Sequence, residues 1–248
     1  MIQLKDICLH FGNQDVFDHI NASIDSSEKI GLVGRNGSGK TTLLKSIVGD
    51  QQLDGGAISV QGNLRIAYMP QEVVTTSGKS ILDEAISAHK EIGRLRETIH
   101  RLEPLLEKED IHIAEEYSAA VQRLQELSSD AFVARVKKML IGLGFTQQQF
   151  SDSIQTLSVG WQMRIVLAKL LLKDADFYLF DEPTNHLDIQ SKEVLFQALN
   201  QFKGTVLFVS HDHDFVNKLA SRVLELTPDG IYSYFGNYDS FLAQKEDL

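Results

Sequence analysis

GLVGRNGSGKTT, residues 31–42, follows the apolar run Lys29–Val33 and precedes a segment with apolar residues at Leu43, Leu44, Ile47 and Val48. That spacing makes one face of a helix, and Gly49 supplies its stop. From Gly34 to Thr41 the stretch spells G-x-x-x-x-G-K-T between a strand and a helix. Gly34, Gly37 and Gly39 let the backbone fold tightly, so that the loop's N–H groups, those of Arg35, Asn36 and Ser38 included, converge on phosphate oxygens. Lys40 then reaches the terminal phosphates and the Thr41 hydroxyl ligates Mg²⁺, with Thr42 beside it. The helix that starts there adds the positive end of its dipole.

A second stretch, FYLFDEP, residues 177–183, is an apolar strand closing on two acids. Its end places Asp181 to hold Mg²⁺ and Glu182 to polarise an attacking water, and phosphoryl transfer needs little else beyond charge and alignment. Two acids after a strand are commonplace; joined to a phosphate loop they acquire a purpose. In TVLFVSHD, residues 205–212, His211 closes another strand and can reach the same terminal phosphate. Both runs are continuously apolar, as parallel strands covered on both faces are. Strands alternating with helices, with the chemistry at the strands' carboxyl ends, define an α/β parallel sheet.

The remaining sequence sets the surroundings. Runs at Ile2–Cys8, Ala22–Ile24, Ala57–Val60 and Arg65–Met69 read as strands between Gly, Asn and Asp clusters. From Ser80 to about Ser128, Glu, Lys, Arg and Leu dominate. Two helices are expected there, with Ile92, Leu95, Ile99 and Leu102 on one stripe, Tyr117, Val121 and Leu124 on the other, and Pro104 ending the first. Hydrophobic residues are 43% and charged residues 23% of 248, as in an ordinary globular chain. The formal net charge of −10 argues against a surface that holds nucleic acid by general phosphate neutralisation. The acids Glu91, Glu97, Glu103, Glu107 and Glu109 offer no RNA-binding face on the first of these helices. Cys8 is the single cysteine, so an internal disulfide is excluded, no Cys-based zinc site is expected, and a small buried strand residue is the expected role. The longest apolar run, Ile165–Phe180, is broken by Lys169, Lys173, Asp174 and Asp176, so no membrane span is expected. The start MIQLKDICLH is no signal peptide, and a cytoplasmic location follows as an expectation.

Taken together, the segments GRNGSGKT, MPQE around Gln71, LSVGWQMR (Leu157–Arg164), DEPTNHLD (Asp181–Asp188) and SHD around His211 resemble the ATP-binding-cassette (ABC) ATPase superfamily in order and spacing from Ile2 to about Leu242. EPTNHLD, Trp161 in the signature, SHDHDFVN and the ending YFGNYDSFL resemble the ABC-F branch, whose members act on ribosomes. The resemblance implies a P-loop NTPase (RecA-like) core with a parallel sheet over 1–75 and 174–235. It also implies an N-terminal antiparallel β subdomain, a helical signature subdomain over 76–173 carrying an arm hairpin at about 89–128, and the start of an inter-domain linker at 236–248. The chain resembles the N-terminal cassette of a longer protein.

The same resemblance implies a set of roles. Phe11 stacks on adenine, and Lys40 takes the β- and γ-phosphates. Thr41, Asp181 and Gln71 hold Mg²⁺, Glu182 orients the water and His211 steadies the transition state. Ser158 and Gly160 of the signature, with Asp188 of the D-loop, meet ATP across a pair of cassettes. The partners implied are a second cassette, in the same polypeptide or a homodimer, and the ribosome with its rRNA and tRNA. One departure stands out: the signature has Val159 where glycine is the more frequent residue, which puts a β-branched side chain where backbone approaches phosphate. The rival readings are an ABC transporter's ATPase subunit and a non-catalytic ATP-dependent switch. A GTPase would need an Asn-Lys-x-Asp segment that the sequence lacks, and a small-molecule kinase would leave LSVGW and SHD unexplained.

Overall fold

Four of the apolar runs join two strands that the sequence reading did not mark, to make one sheet in the computed structural model, which describes residues 1–12, 14–71, 78–108, 110–127, 130–173 and 175–246. Glu72, Glu109, Ser128, Asp174 and residues 247–248, all touched by the sequence reading, lie outside the described residues, as does the side chain of Glu107. The strands are β3 (Lys29–Gly34), β5 (Ile66–Met69), β6 (Phe177–Asp181), β7 (Thr205–Val209), β8 (Arg222–Thr227) and β9 (Gly230–Phe235), in the order β5-β6-β7-β3-β8-β9. The first five of that order are mutually parallel, whereas β9 returns antiparallel on β8, so the sheet is mixed at one edge. Every residue of β6 and β7 is buried, as their unbroken apolar runs require.

A second sheet, β2-β1-β4, is antiparallel and built from β1 (Ile2–Phe11), β2 (Gln14–Ile24) and β4 (Gly55–Val60). Its inner residues Ile2, Leu4, Ile7, Leu9, Phe17, Ile20 and Ile24 are buried in one cluster with Ile30, Leu32, Leu43, Leu44, Leu179 and Leu207. Cys8 departs from its expected place. With Ile7 and Leu9 taking the inner face, Cys8 falls on the outer one and is only half-buried.

The chain divides into two units, Met1–Glu72 with Asp174–Leu248, and Val73–Lys173. The first holds both sheets with α1 (Lys40–Val48), α7 (Ile189–Gln201), α8 (His213–Leu219) and α9 (Tyr238–Glu246). Gly49 ends α1 with φ 86°, its N–H returning to the carbonyls of Lys45 and Ser46. Helix α9 is fastened to α8: Tyr238 stacks on His213 with ring centroids 4.6 Å apart, and Asn217 exchanges two hydrogen bonds with Asp239.

The second unit is helical: α2 (Ile81–Ile86), α3 (Lys90–Leu102), α4 (Ile111–Leu127), α5 (Asp130–Gly142) and α6 (Val159–Leu171). Pro104 falls in the 3₁₀ turn Glu103–Lys108 that follows α3, so α3 ends two residues before it. Ile92 and Leu102 are buried, and Arg123 of α4 donates to Glu91 of α3 at 2.8 Å. Glu84 of α2 and Lys169 of α6 form an ion pair. Trp161 packs edge-on against Phe145 at 4.8 Å and lies under the Arg164 guanidinium. No helix among the described residues is long and apolar enough to cross a membrane.

Candidate functional site: a phosphate cradle at the sheet edge

The loop between β3 and α1 turns on glycines that no other residue replaces without cost. Gly39 has φ 94°, and a Cβ there would meet Val16 Cγ1 at 2.7 Å and Phe17 Cε1 at 2.9 Å. Gly37 has φ 79° and nothing within 4 Å of its would-be Cβ, so its bare backbone borders open space. Inside the loop the Lys40 ammonium donates to the carbonyls of Gly34 and Arg35, both at 2.9 Å. Burial lowers the Lys40 pKa, and the nearby Glu182 and Asp181 act against that shift.

Parallel registry brings the acids to this loop. Asp181 pairs with Val209 across β6 and β7, and β7 pairs with β3. Asp181 is therefore level with the end of the strand that leads to His211. Burial raises the Asp181 carboxyl pKa, opposed by a hydrogen bond from Thr41 and by the charges of Lys45 and Lys40. Glu182 turns out of the strand with φ 54°, its N–H donating to the Val209 carbonyl at 3.0 Å. A left-handed glutamate is uncommon and is held here by its surroundings. Below it the Thr184 and Ser210 hydroxyls meet at 2.8 Å, both buried, and tie the two strand ends together.

These residues line one cleft of about 570 Å³: Phe11, Asn36, Gly37, Gly39, Lys40, Thr41, Thr42, Gln71, Asp181, Glu182 and His211. Phe11, the last residue of β1, is 52% exposed. Gly34 and Arg35 line a neighbouring cavity on the side of the loop toward α9. Ser158 and Gly160 are not among the cleft's lining residues; they belong to the helical unit, where Ser158 is the N-cap of α6 and its side chain makes no capping bond. Val159 is the first residue of that helix and is 51% exposed. Asp188 caps α7, accepting from the Ser191 N–H at 2.8 Å.

Four buried side-chain oxygens have no hydrogen-bond partner among the described residues: Ser38 Oγ, Tyr68 Oη, Asp181 Oδ2 and Glu182 Oε1. Tyr68, whose hydroxyl pKa burial raises to about 12, sits on β5. The other three belong to the phosphate loop and to the acid pair. Buried oxygens of this kind are costly unless something else satisfies them. An oxygen-seeking cation beside Asp181 and Thr41, and a water beside Glu182, fit that demand, and Mg²⁺ prefers such a donor set.

A family profile described as ABC transporter matches residues 17–185, more than half of the chain. The chain belongs to the ABC transporter family. Two relatives of this cassette are the "ATP-binding protein Uup" of Haemophilus influenzae, 33% identical, and "ABC transporter F family member 2" of Arabidopsis thaliana, 30% identical. Each alignment covers 100% of the cassette and 38% of the relative, so the chain spans about two fifths of the length of these proteins. A solved "ATP binding subunit of ABC transporter" superposes with a TM-score of 0.72 at 20% identity, covering 99% of the cassette and 93% of that chain, which shows the shared fold.

Sequence reasoning overlooked Val16, which lines the cleft and meets Gly39 from β2. Its signal would have been the position of β2, which the sequence reading confined to Ala22–Ile24.

Proposed function

We propose that this cassette binds Mg-ATP in the cleft between Phe11 and His211 and hydrolyses it as one half of a pair, in the service of a ribosome-associated protein. The observation that carries the hydrolytic part is the state of Glu182: a buried carboxylate at the cleft, one oxygen held by a backbone N–H and the other without a hydrogen-bond partner. That oxygen, which stands 3.3 Å from the His211 ring Nε2, accepts from a water and aligns it on the terminal phosphorus. Lys40 exchanges its two loop carbonyls for phosphate oxygens, and the loop N–H groups take the remaining charge. Thr41, Asp181 and Gln71 would hold the magnesium ion, which supplies charge neutralisation on the transferring phosphoryl group. Phe11 offers its exposed ring to the base. The open N-terminus of α6, with Ser158 and Gly160, suits phosphate contacted from a partner cassette.

The ribosomal part rests on the ABC-F resemblance and on the relative that carries that family's name. The test uses the full gene product with Glu182→Gln and the matching change in any second cassette, sedimented through sucrose with and without ATP. Co-migration with ribosomes only when ATP is present is expected. Sedimentation with membranes would favour a transporter's motor and remove the ribosomal assignment, while loss of ATP binding would remove the site itself.

A further inference from the structure

The ladder between β1 and β2 carries three register shifts, and the first two, one on each strand, shape the outer face of the small sheet. Between the pairs Leu4–Ala22 and Ile7–Ile20, β1 spends Lys5 and Asp6 against Asn21 alone. Between Ile7–Ile20 and Leu9–Phe17 the imbalance reverses, and Cys8 alone faces Asp18 and His19. Each bulge adds a residue to one strand and re-aims its side chains, and Asp6 and His19 take φ values of 54° and 51° to accommodate it. Consecutive residues of a regular strand point to opposite faces; here Asp18 and His19 both come to the face that Cys8 occupies.

The result is a thiol, a carboxylate and an imidazole whose ligand atoms all lie within 4.8 Å of one another. His19 is also oriented: its Nδ1 stands 2.7 Å from Asp6 Oδ1, and its Nε2 is 3.9 Å from Asp18 Oδ1. A carboxylate on Nδ1 keeps the proton there and leaves the Nε2 lone pair for a metal, the outer arrangement that metal-bound histidines use. Across the third strand, Gly55 pairs with Cys8, and a Cβ there would stand 3.4 Å from Cys8 Cβ and 3.7 Å from its Sγ. Gly55 does not need positive φ; its missing side chain leaves that flank of the sulfur uncovered.

We propose that Cys8, Asp18 and His19 form a three-ligand site for a zinc-class divalent transition metal, with Asp6 as the positioning residue for His19 and solvent completing the coordination. Sulfur, nitrogen and oxygen donors together suit a borderline metal and not Mg²⁺ or Ca²⁺, which take oxygen. The site is therefore chemically distinct from the magnesium position proposed at Asp181. It uses a single thiolate, where the sequence suggested no Cys-based zinc site, because strand register gathers the other two ligands from β2.

Cobalt(II) is the probe, titrated into the reduced protein without nucleotide. A thiolate-to-cobalt charge-transfer band that saturates at one metal per chain and is displaced by zinc is expected. Cys8→Ser should abolish the band, His19→Ala should remove most of the affinity, and Asp6→Asn should weaken it by about tenfold. All three should keep the unaltered circular dichroism of an outward-facing substitution, and Cys8→Ser should bind Mg-ATP like the parent. Absence of the band, cobalt bound without it, or a band that survives His19→Ala would each overturn the site.

Discussion

His211 meets both oxygens of the Glu182 carboxylate: its backbone N–H donates to Oε2 at 3.1 Å, and its ring Nε2 stands 3.3 Å from Oε1 without making a hydrogen bond. The two contacts are separable, because only the second depends on the imidazole. In His211→Ala the backbone bond still holds the carboxylate in place, so ATP affinity should change less than about twofold while turnover falls by about 10²-fold, the lower end of what a positioned proton-handling group contributes. Glu182→Gln should lose more, toward about 10⁴-fold, because it removes the charge that aligns the water. Steady-state phosphate release and equilibrium binding of a fluorescent ATP analogue, measured on the paired protein, give both numbers. Equal losses in the two variants would mean that ring and carboxylate act as one unit, and would overturn the order expected here.

Lys40 is bonded to Gly34 and Arg35 through its ammonium alone. Lys40→Met should fold and melt close to the parent, since Gly34 and Arg35 line the neighbouring open cavity, from which water can reach the carbonyls it leaves. Its ATP affinity should drop by at least tenfold, the loss expected for a charge-assisted bond worth about 1.5–3 kcal/mol. Calorimetric titration separates the two effects.

Gly39→Ala meets both a forbidden backbone angle and a steric wall at Val16 and Phe17. A destabilisation of about 2–4 kcal/mol is expected from strain and overpacking together, read from the urea midpoint. Gly37→Ala has the same angle problem in open space and should cost about 1–2 kcal/mol, with a larger effect on nucleotide binding than on folding.

Asp176 accepts from Arg65 through both carboxylate oxygens and through the Arg65 backbone N–H, which lowers its pKa to about 2. A pKa depressed on folding adds stability that is fully present above the unfolded value near 3.8 and is lost as pH falls through the folded one. The stability gap between the parent and Asp176→Asn should therefore be constant above pH of about 5 and close toward pH of about 2. Unfolding curves across that interval test the sign, and a gap that widened in acid would refute it.

Val159→Gly bears on the pairing. If the head of α6 meets a partner's nucleotide, removing the exposed isopropyl group should raise the turnover of the paired protein several-fold without altering ATP affinity of the isolated cassette. Unchanged turnover would place that helix end away from any phosphate.

The parts of the cassette that a reader of the sequence can see are those whose backbone leaves no choice. Gly34 to Thr41 is legible because a tight phosphate-facing turn needs glycine at fixed intervals. Phe177–Asp181 and Thr205–Val209 are legible because strands covered on both faces carry an unbroken apolar run, with polar residues only at the ends, here Asp181 and Thr205. Strand β2 was foreshortened to Ala22–Ile24, since Asp15, Asp18, His19 and Asn21 face outward and a bulge breaks the alternation that announces a strand. The same bulges explain the misplaced Cys8, because burial in this strand follows register and not residue type. β9 was equally hidden: Gly230–Phe235 mixes buried Tyr234 with exposed Tyr232 and Phe235, a half-covered edge without a clean pattern.

The contact of Gly39 with Val16 and Phe17 has a consequence for how such a protein can vary over generations. Even where the residues at 16 and 17 have shrunk, a side chain at position 39 still meets the strain of φ 94°, and shrinking them first gives up packing against the loop. Neither order of change passes through a sound intermediate. Position 39 is therefore closed by backbone angle and by packing at once, so a loss of bulk at 16 or 17 does not by itself open it to another residue.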